Sequence, residues 1–167
     1  AAMLDLQPQA SICDAARERD RLDSTLLREL VTPHACGLHL LAAPENVVDA
    51  ADIGDEVLTQ LINLARRTYR FVVIDTFPLL DSVVVAILDL TDRLYIVVEN
   101  VVPTLVGARS LLGVLRELGY PSDRQRLVIN RFATSGGRIR PPDIEQQLGL
   151  TVSHVVRHQK KANEEAN

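Results

Sequence analysis

Tyr69-Arg70-Phe71-Val72-Val73-Ile74-Asp75-Thr76-Phe77-Pro78, followed after an apolar run by Leu94-Tyr95-Ile96-Val97-Val98-Glu99, is the stretch that decides the fold. Phe71 to Ile74 are aromatic or β-branched and too few for a helix, so they read as a buried strand ending at the carboxylate of Asp75. Val83 to Leu90 is apolar at helix length, and Leu94 to Val98 is a second apolar strand. The unit is strand, helix, strand, with an acid at the carboxyl end of the first strand. In parallel α/β sheets that end is where ligands bind.

Working outward, the same alternation recurs. Toward the N-terminus, Ser11 with Asp14 three positions on predicts a capped short helix, and Asp23 predicts the cap of a helix over 24–31 that Pro33 stops. Leu38 to Ala43 reads as a short strand, with His39 a sheet-surface residue rather than a ligand. From Ile53 to Arg67, Val57, Leu58, Leu61, Ile62, Leu64 and Ala65 recur at helical spacing, with Arg66 and Arg67 at the negative end of the helix dipole. Toward the C-terminus, Pro103 and Thr104 open a helix with Leu105, Ala108, Leu111, Leu112, Leu115 and Leu118 on one face, closed by Gly119. Leu127-Val128-Ile129-Asn130 is another buried strand. A Gly136-Gly137 loop, a helix over 143–148 after Pro141-Pro142, a last strand near 151–156 and a polar tail follow. Alternating strands and helices select an α/β fold, mainly a parallel sheet with helices on both faces, in a single domain over 1–167.

Composition narrows the function classes. The chain is 47% hydrophobic and 24% charged with a formal net charge of -4, which argues against a dominant nonspecific nucleic-acid role. Arg124, Arg126, Arg131, Arg138 and Arg140 cluster in sequence and read as a solvated face flanked by Asp123 and Asp143. Cys13 and Cys36 lack metal-type spacing and read as two buried free thiols of a reducing cytoplasm. No apolar run approaches the ~18 residues of a membrane span. Membrane contact is expected only through partners.

Three strand ends carry polar residues: Asp75, Glu99-Asn100 and Asn130-Arg131. An apolar strand ending in Asp is what a Mg²⁺-nucleotide site uses to hold a metal-bound water. The alternatives from the residues alone are a turn-forming Asp75, an N-capping Asp81 and a strand-ending Asn130.

The 69–81 stretch, with Leu-Thr-Asp-Arg-Leu-Tyr-Ile-Val-Val-Glu and Leu-Val-Ile-Asn-Arg, resembles the ParA/MinD-type P-loop ATPases. Arg21 to Leu27 and Gly37 to Pro44 are similar to the CpaE/TadZ branch, which serves assembly and polar placement of Flp-type (Tad) pili and related secretion machinery. The resemblance implies a P-loop NTPase fold with ATP and Mg as cofactors of the intact protein. It makes Asp75 the Walker B acid, reaching Mg through water, and Thr76, Pro78 and Asp81 part of a switch-like loop. Asn130 and Arg131 would match the residues that contact the adenine base. It also implies a cytoplasmic protein recruited to the inner membrane or cell pole by pilus or secretion proteins.

The sequence departs from that family in ways that limit the chemistry. Gly-x-x-x-x-Gly-Lys-Ser/Thr occurs nowhere in it, and Val155-Val156 stands where an Ile-Pro pair is usual. The following strand with its switch acid is also absent, with Ala1 aligning just after it. The fold is therefore expected to lack its first strand-loop-helix-strand segment. The chain then corresponds to the C-terminal part of a larger ATPase, or to a relative without its catalytic half. Without amides and lysines to cradle phosphates, it is expected neither to bind ATP tightly nor to hydrolyse it. Open apolar strand edges predict a homodimer or larger assembly. A nucleotide-free interaction module is the alternative. A tyrosine-kinase domain, which would need a tyrosine-rich tail, and a DNA-partitioning ATPase rank below it.

Overall fold

The computed structural model describes residues 2–44, 53–76, 80–134 and 138–158, and the chain divides into two compact units, 1–90 and 91–167.

In the first unit, local signals in the sequence set the helices. Helix α1 (Ile12–Arg17) starts at a capping box: the Ser11 N–H donates to Asp14 Oδ2 at 2.8 Å, and Ser11 Oγ accepts from the Cys13 N–H at 3.2 Å. Helix α2 (Ser24–Leu30) is capped by Asp23, whose Oδ1 accepts from the Thr25 and Leu26 amides at 2.9 and 2.8 Å. Helix α3 (Asp55–Thr68) has Asp55 and Glu56 in its first turn and Arg66 and Arg67 in its last, complementing its dipole. Leu61 of α3 joins Ala15, Leu26, Leu27 and Leu30 in one apolar cluster. Its Leu58 and Ile62 meet Ile87 of helix α4 (Ser82–Asp89) in another.

Three expectations for this unit are corrected. Phe71 to Ile74 form no strand. They run outside any ladder, with Phe71 78% and Val73 92% exposed. The side chains suit a strand, but a strand exists only where neighbouring backbone takes up its N–H and C=O groups, and no described segment does so. The strand expected over 38–43 is reduced to β2 (His39–Leu40), paired antiparallel with β1 (Thr32–Pro33) in a hairpin. Cys36 is exposed where a buried thiol was expected, because the turn of that hairpin, with Gly37 at φ +89°, carries it to the tip; Cys13 is buried. His39 lies on the surface as anticipated, its Nδ1 3.0 Å from the Tyr69 hydroxyl.

The second unit holds the parallel sheet. Strands β3 (Leu94–Glu99), β4 (Gln125–Phe132) and β5 (Val152–Arg157) are ordered β3-β4-β5, with helix α5 (Val102–Glu117) as the first crossover and α6 (Pro141–Leu148) as the second. Ile96, Val98, Leu127 and Ile129 are buried, as are Leu105, Ala108, Leu112 and Leu115 of α5 and Ile144 and Leu148 of α6. Helix α5 ends in a Schellman turn: the Tyr120 N–H donates to Leu115 O at 2.8 Å and the Gly119 N–H to Arg116 O at 3.0 Å, with Gly119 at φ +71°. The α/β class and the parallel sheet flanked by helices agree with the sequence reading.

Two outcomes test these assignments. Leu127→Ala, which empties a fully buried position at the middle of the sheet, is expected to lower unfolding free energy by about 2–5 kcal/mol, read from the urea midpoint. The second concerns Asp14, whose carboxyl the Ser11 backbone N–H holds below its ordinary value of 3.8. A carboxyl lowered on folding stabilises fully above its unfolded value and loses that contribution as pH falls through the folded value. Asp14→Asn is therefore expected to be less stable than the parent at pH 7, with the difference closing in thermal melts taken progressively below pH 3.8.

Candidate functional site

The carboxyl ends of β3 and β4 bring one polar cluster together. Parallel register sets Glu99 beside Asn130. Asn130 Oδ1 accepts from the Arg131 N–H at 2.9 Å, and Arg131 adopts φ +48°. A non-glycine residue there carries about 1–2 kcal/mol of backbone strain, so the Asn130 contact helps to hold a turn that the side chain of Arg131 disfavours. The Arg131 guanidinium reaches Glu99 Oε1 at 3.4 Å, across a partly exposed surface. The Asn130 amide NH₂ has no partner among the described residues, which leaves a donor at the strand end.

Asn100, directly after β3, is fully buried. Its Nδ2 donates to Ala133 O at 2.8 Å and Ile139 O at 3.3 Å, while its backbone carbonyl accepts from the Ile139 N–H at 3.2 Å. One side chain thus ties down both flanks of the loop that follows Arg131. Its Oδ1 is buried without a partner among the described residues. Thr104 Oγ1 donates to Glu99 O at 2.6 Å, fixing the start of α5 against the same strand end. The sequence marked Glu99-Asn100 only as a polar strand end. An Asn after an apolar strand is the signal that was available, but its burial depends on residues more than thirty positions away.

The remaining candidates lie in the first unit. Asp75 and Thr76 are exposed and follow the unladdered 71–74 segment. Asp81 caps α4 through an Oδ1 bond from the Val84 N–H at 2.8 Å, which is the capping alternative. Pro78 lies outside the described residues. The arginine cluster is largely engaged locally. Arg126 donates to Asp123 O, Arg131 faces Glu99, and Arg140 forks onto Asp143 at 2.9 and 3.1 Å, a hydrogen-bonded pair that lowers the Asp143 carboxyl and raises Arg140. A shallow cavity of about 410 Å³ lined by Ser122, Asp123, Gln125, Arg126, Thr151 and Ser153 sits at the amino ends of β4 and β5, away from this cluster. No group of three or more metal-ligating side chains occurs among the described residues.

Asn130 and Arg131 place side-chain N–H donors at the carboxyl end of β4, and the sequence contains no Gly-x-x-x-x-Gly-Lys-Ser/Thr loop. Removing the Asn100 clamp with Asn100→Ala is expected to cost about 1–3 kcal/mol locally and to speed hydrogen exchange at the Ile139 amide, measured by NMR, with little change at buried β4 amides.

No family model and no curated protein matches the chain. Solved structures do. A ParA family ATPase from Chlorobium tepidum TLS matches with a TM-score of 0.88 at 28% identity, over 97% of this chain and 66% of that one. A chain of a MinC:MinD cell division protein complex from Aquifex aeolicus matches at a TM-score of 0.77 and 17% identity, over 99% of this chain and 66% of that one. MinD from the same organism matches at 0.76 and 17%, over 99% and 68%. The chain thus spans about two thirds of the length of these structures, and over that span it has the fold of the ParA/MinD-type P-loop ATPases.

Proposed function

We propose that this chain is the base-binding, C-terminal portion of a CpaE/TadZ-like protein, a ParA/MinD-type ATPase in its intact form that assembles and positions a pilus or secretion machine. The observation that carries this is the match to a ParA family ATPase along nearly the whole chain, with Asn130-Arg131 at the carboxyl end of β4. In the intact protein, Asp75 acts as the Walker B acid, holding a water on Mg²⁺. Thr76, Pro78 and Asp81 form the switch-like loop, and Asn130 and Arg131 take the adenine edge. What ATP and Mg²⁺ supply there is a change of charge that a switch loop reads.

Residues 1–167 contribute binding surfaces to that protein, with the phosphate chemistry supplied by a loop outside them. It self-associates and acts in the cytoplasm, reaching the membrane or pole through pilus partners. A second reading is a nucleotide-free interaction module of the same fold.

Labelled-ATP binding separates the two. A longer parent chain carrying a phosphate loop should bind ATP and lose about tenfold or more in affinity on Asp75→Ala, while residues 1–167 alone should bind weakly and turn over nothing. A parent that does not bind ATP leaves the interaction module standing.

A further inference from the structure

The two cysteines of the chain sit in opposite settings: Cys13 is buried in α1, whereas Cys36 is exposed at the tip of the β1–β2 hairpin. The tip is held by its own backbone. The His34 N–H donates to Leu38 O at 2.7 Å, and the Gly37 N–H donates to His34 O at 2.9 Å. A side chain placed on Gly37 would meet no atom within 4 Å beyond its chain neighbours, so the space beside the thiol is open. Cys36 has a base as its neighbour. His34 Nδ1 stands 2.9 Å from Cys36 Sγ and also accepts the Cys36 backbone N–H at 3.2 Å. That second bond assigns the tautomer, because a backbone N–H can only donate: Nδ1 carries the lone pair and Nε2 the hydrogen. The thiol is then the donor of the 2.9 Å contact, with its proton aimed at the imidazole. A nucleophile, a base within hydrogen-bond reach and a third group that orients the base make the arrangement that activates a sulfur. The turn by itself needs only an acceptor at position 34, which an Asn would supply. An imidazole there adds a group that can take a proton.

We propose that His34 and Cys36 form a site of thiol–disulfide exchange, at which a low-molecular-weight disulfide places a mixed disulfide on Cys36. The Cys36 sulfur attacks one sulfur of the disulfide while its proton passes to His34 Nδ1. A new S–S bond forms as the S–S bond of the reagent breaks, and the leaving thiolate takes up the proton. The Cys36 sulfur is oxidised and the leaving sulfur reduced, so the disulfide is the only oxidant the step needs. An external thiol reverses it by the same route. The bonds that hold the pair lie within 32–40, so the site rests neither on the nucleotide reading nor on self-association.

Oxidised glutathione, followed by mass spectrometry, tests this. The folded chain should take up one glutathione, on Cys36, with Cys13 unmodified, and excess reduced glutathione should remove it. His34→Asn is the informative variant, because its side-chain oxygen can accept the Cys36 amide as Nδ1 does but cannot take a proton. At neutral pH it should react about tenfold or more slowly than the parent. In guanidinium chloride, where the hairpin is lost, parent and variant should react at one rate. The parent itself should react about tenfold or more faster folded than in guanidinium chloride, a comparison that needs no variant to fold. A longer parent chain should give the same ratio of parent to His34→Asn. Equal rates for the folded parent and His34→Asn, a folded parent no faster than the unfolded one, an adduct on Cys13, or a covalent dimer through Cys36 in place of the adduct overturns the assignment.

Discussion

The parallel ladder through β4 is the constraint on which the second unit depends. Leu127 and Ile129 are fully buried, and the strand takes hydrogen bonds from both neighbours, so its position is fixed from either side and from the helix face. That fixes where Asn130 and Arg131 emerge. It also fixes Glu99 beside Asn130, because register along a parallel pair advances one residue at a time. The polar cluster is thus a consequence of apolar packing further down the same strands. Asn100 extends that rigidity into the following loop with one buried amide.

How much of this was legible in the sequence depended on the range of the interaction. Helix starts were legible because caps act within a few residues: Ser11 with Asp14, Asp23 and Asp81 all bond backbone amides two or three positions away. The stop at Gly119 was legible for the same reason. Strands β3 and β4 were legible as apolar runs, since burial against helices leaves a hydrophobic signature, whereas β5 has no buried residue and showed only as a short segment with three valines. Phe71 to Ile74 carry that signature as well, and there it misled. A run of side chains reports what a segment could bury, while a ladder depends on backbone supplied from elsewhere in the chain. Cys36 misled in a similar way, its apolar character outweighed by a turn that the Thr32–Leu40 pairing imposes.

For the candidate site, sequence named the strand-end residues but not their division of labour. Asn130 is a turn former with a side chain to spare: its oxygen holds the Arg131 amide while its nitrogen has no partner among the described residues. Asp81 is a helix cap in this structure, so a switch role would require it to leave the Val84 amide. Asn100 has no sequence signature that separates it from a solvated strand end. Its partners become visible only when residues flanking the β4–α6 connection are brought against β3.

The Schellman turn after α5 also bears on how the sheet is reached from the unfolded chain. Parallel pairing cannot form by a tight hairpin and has to wait for a crossover to bring two distant strands level, which makes it slow to close. Gly119 reverses the chain with bonds made entirely within α5 and the three residues after it, so the direction of return needs no β3–β4 bond to set it. The loop to be closed is then a short stiff helix with a fixed exit rather than a flexible coil, and less chain entropy is left to lose in the step that pairs β3 with β4.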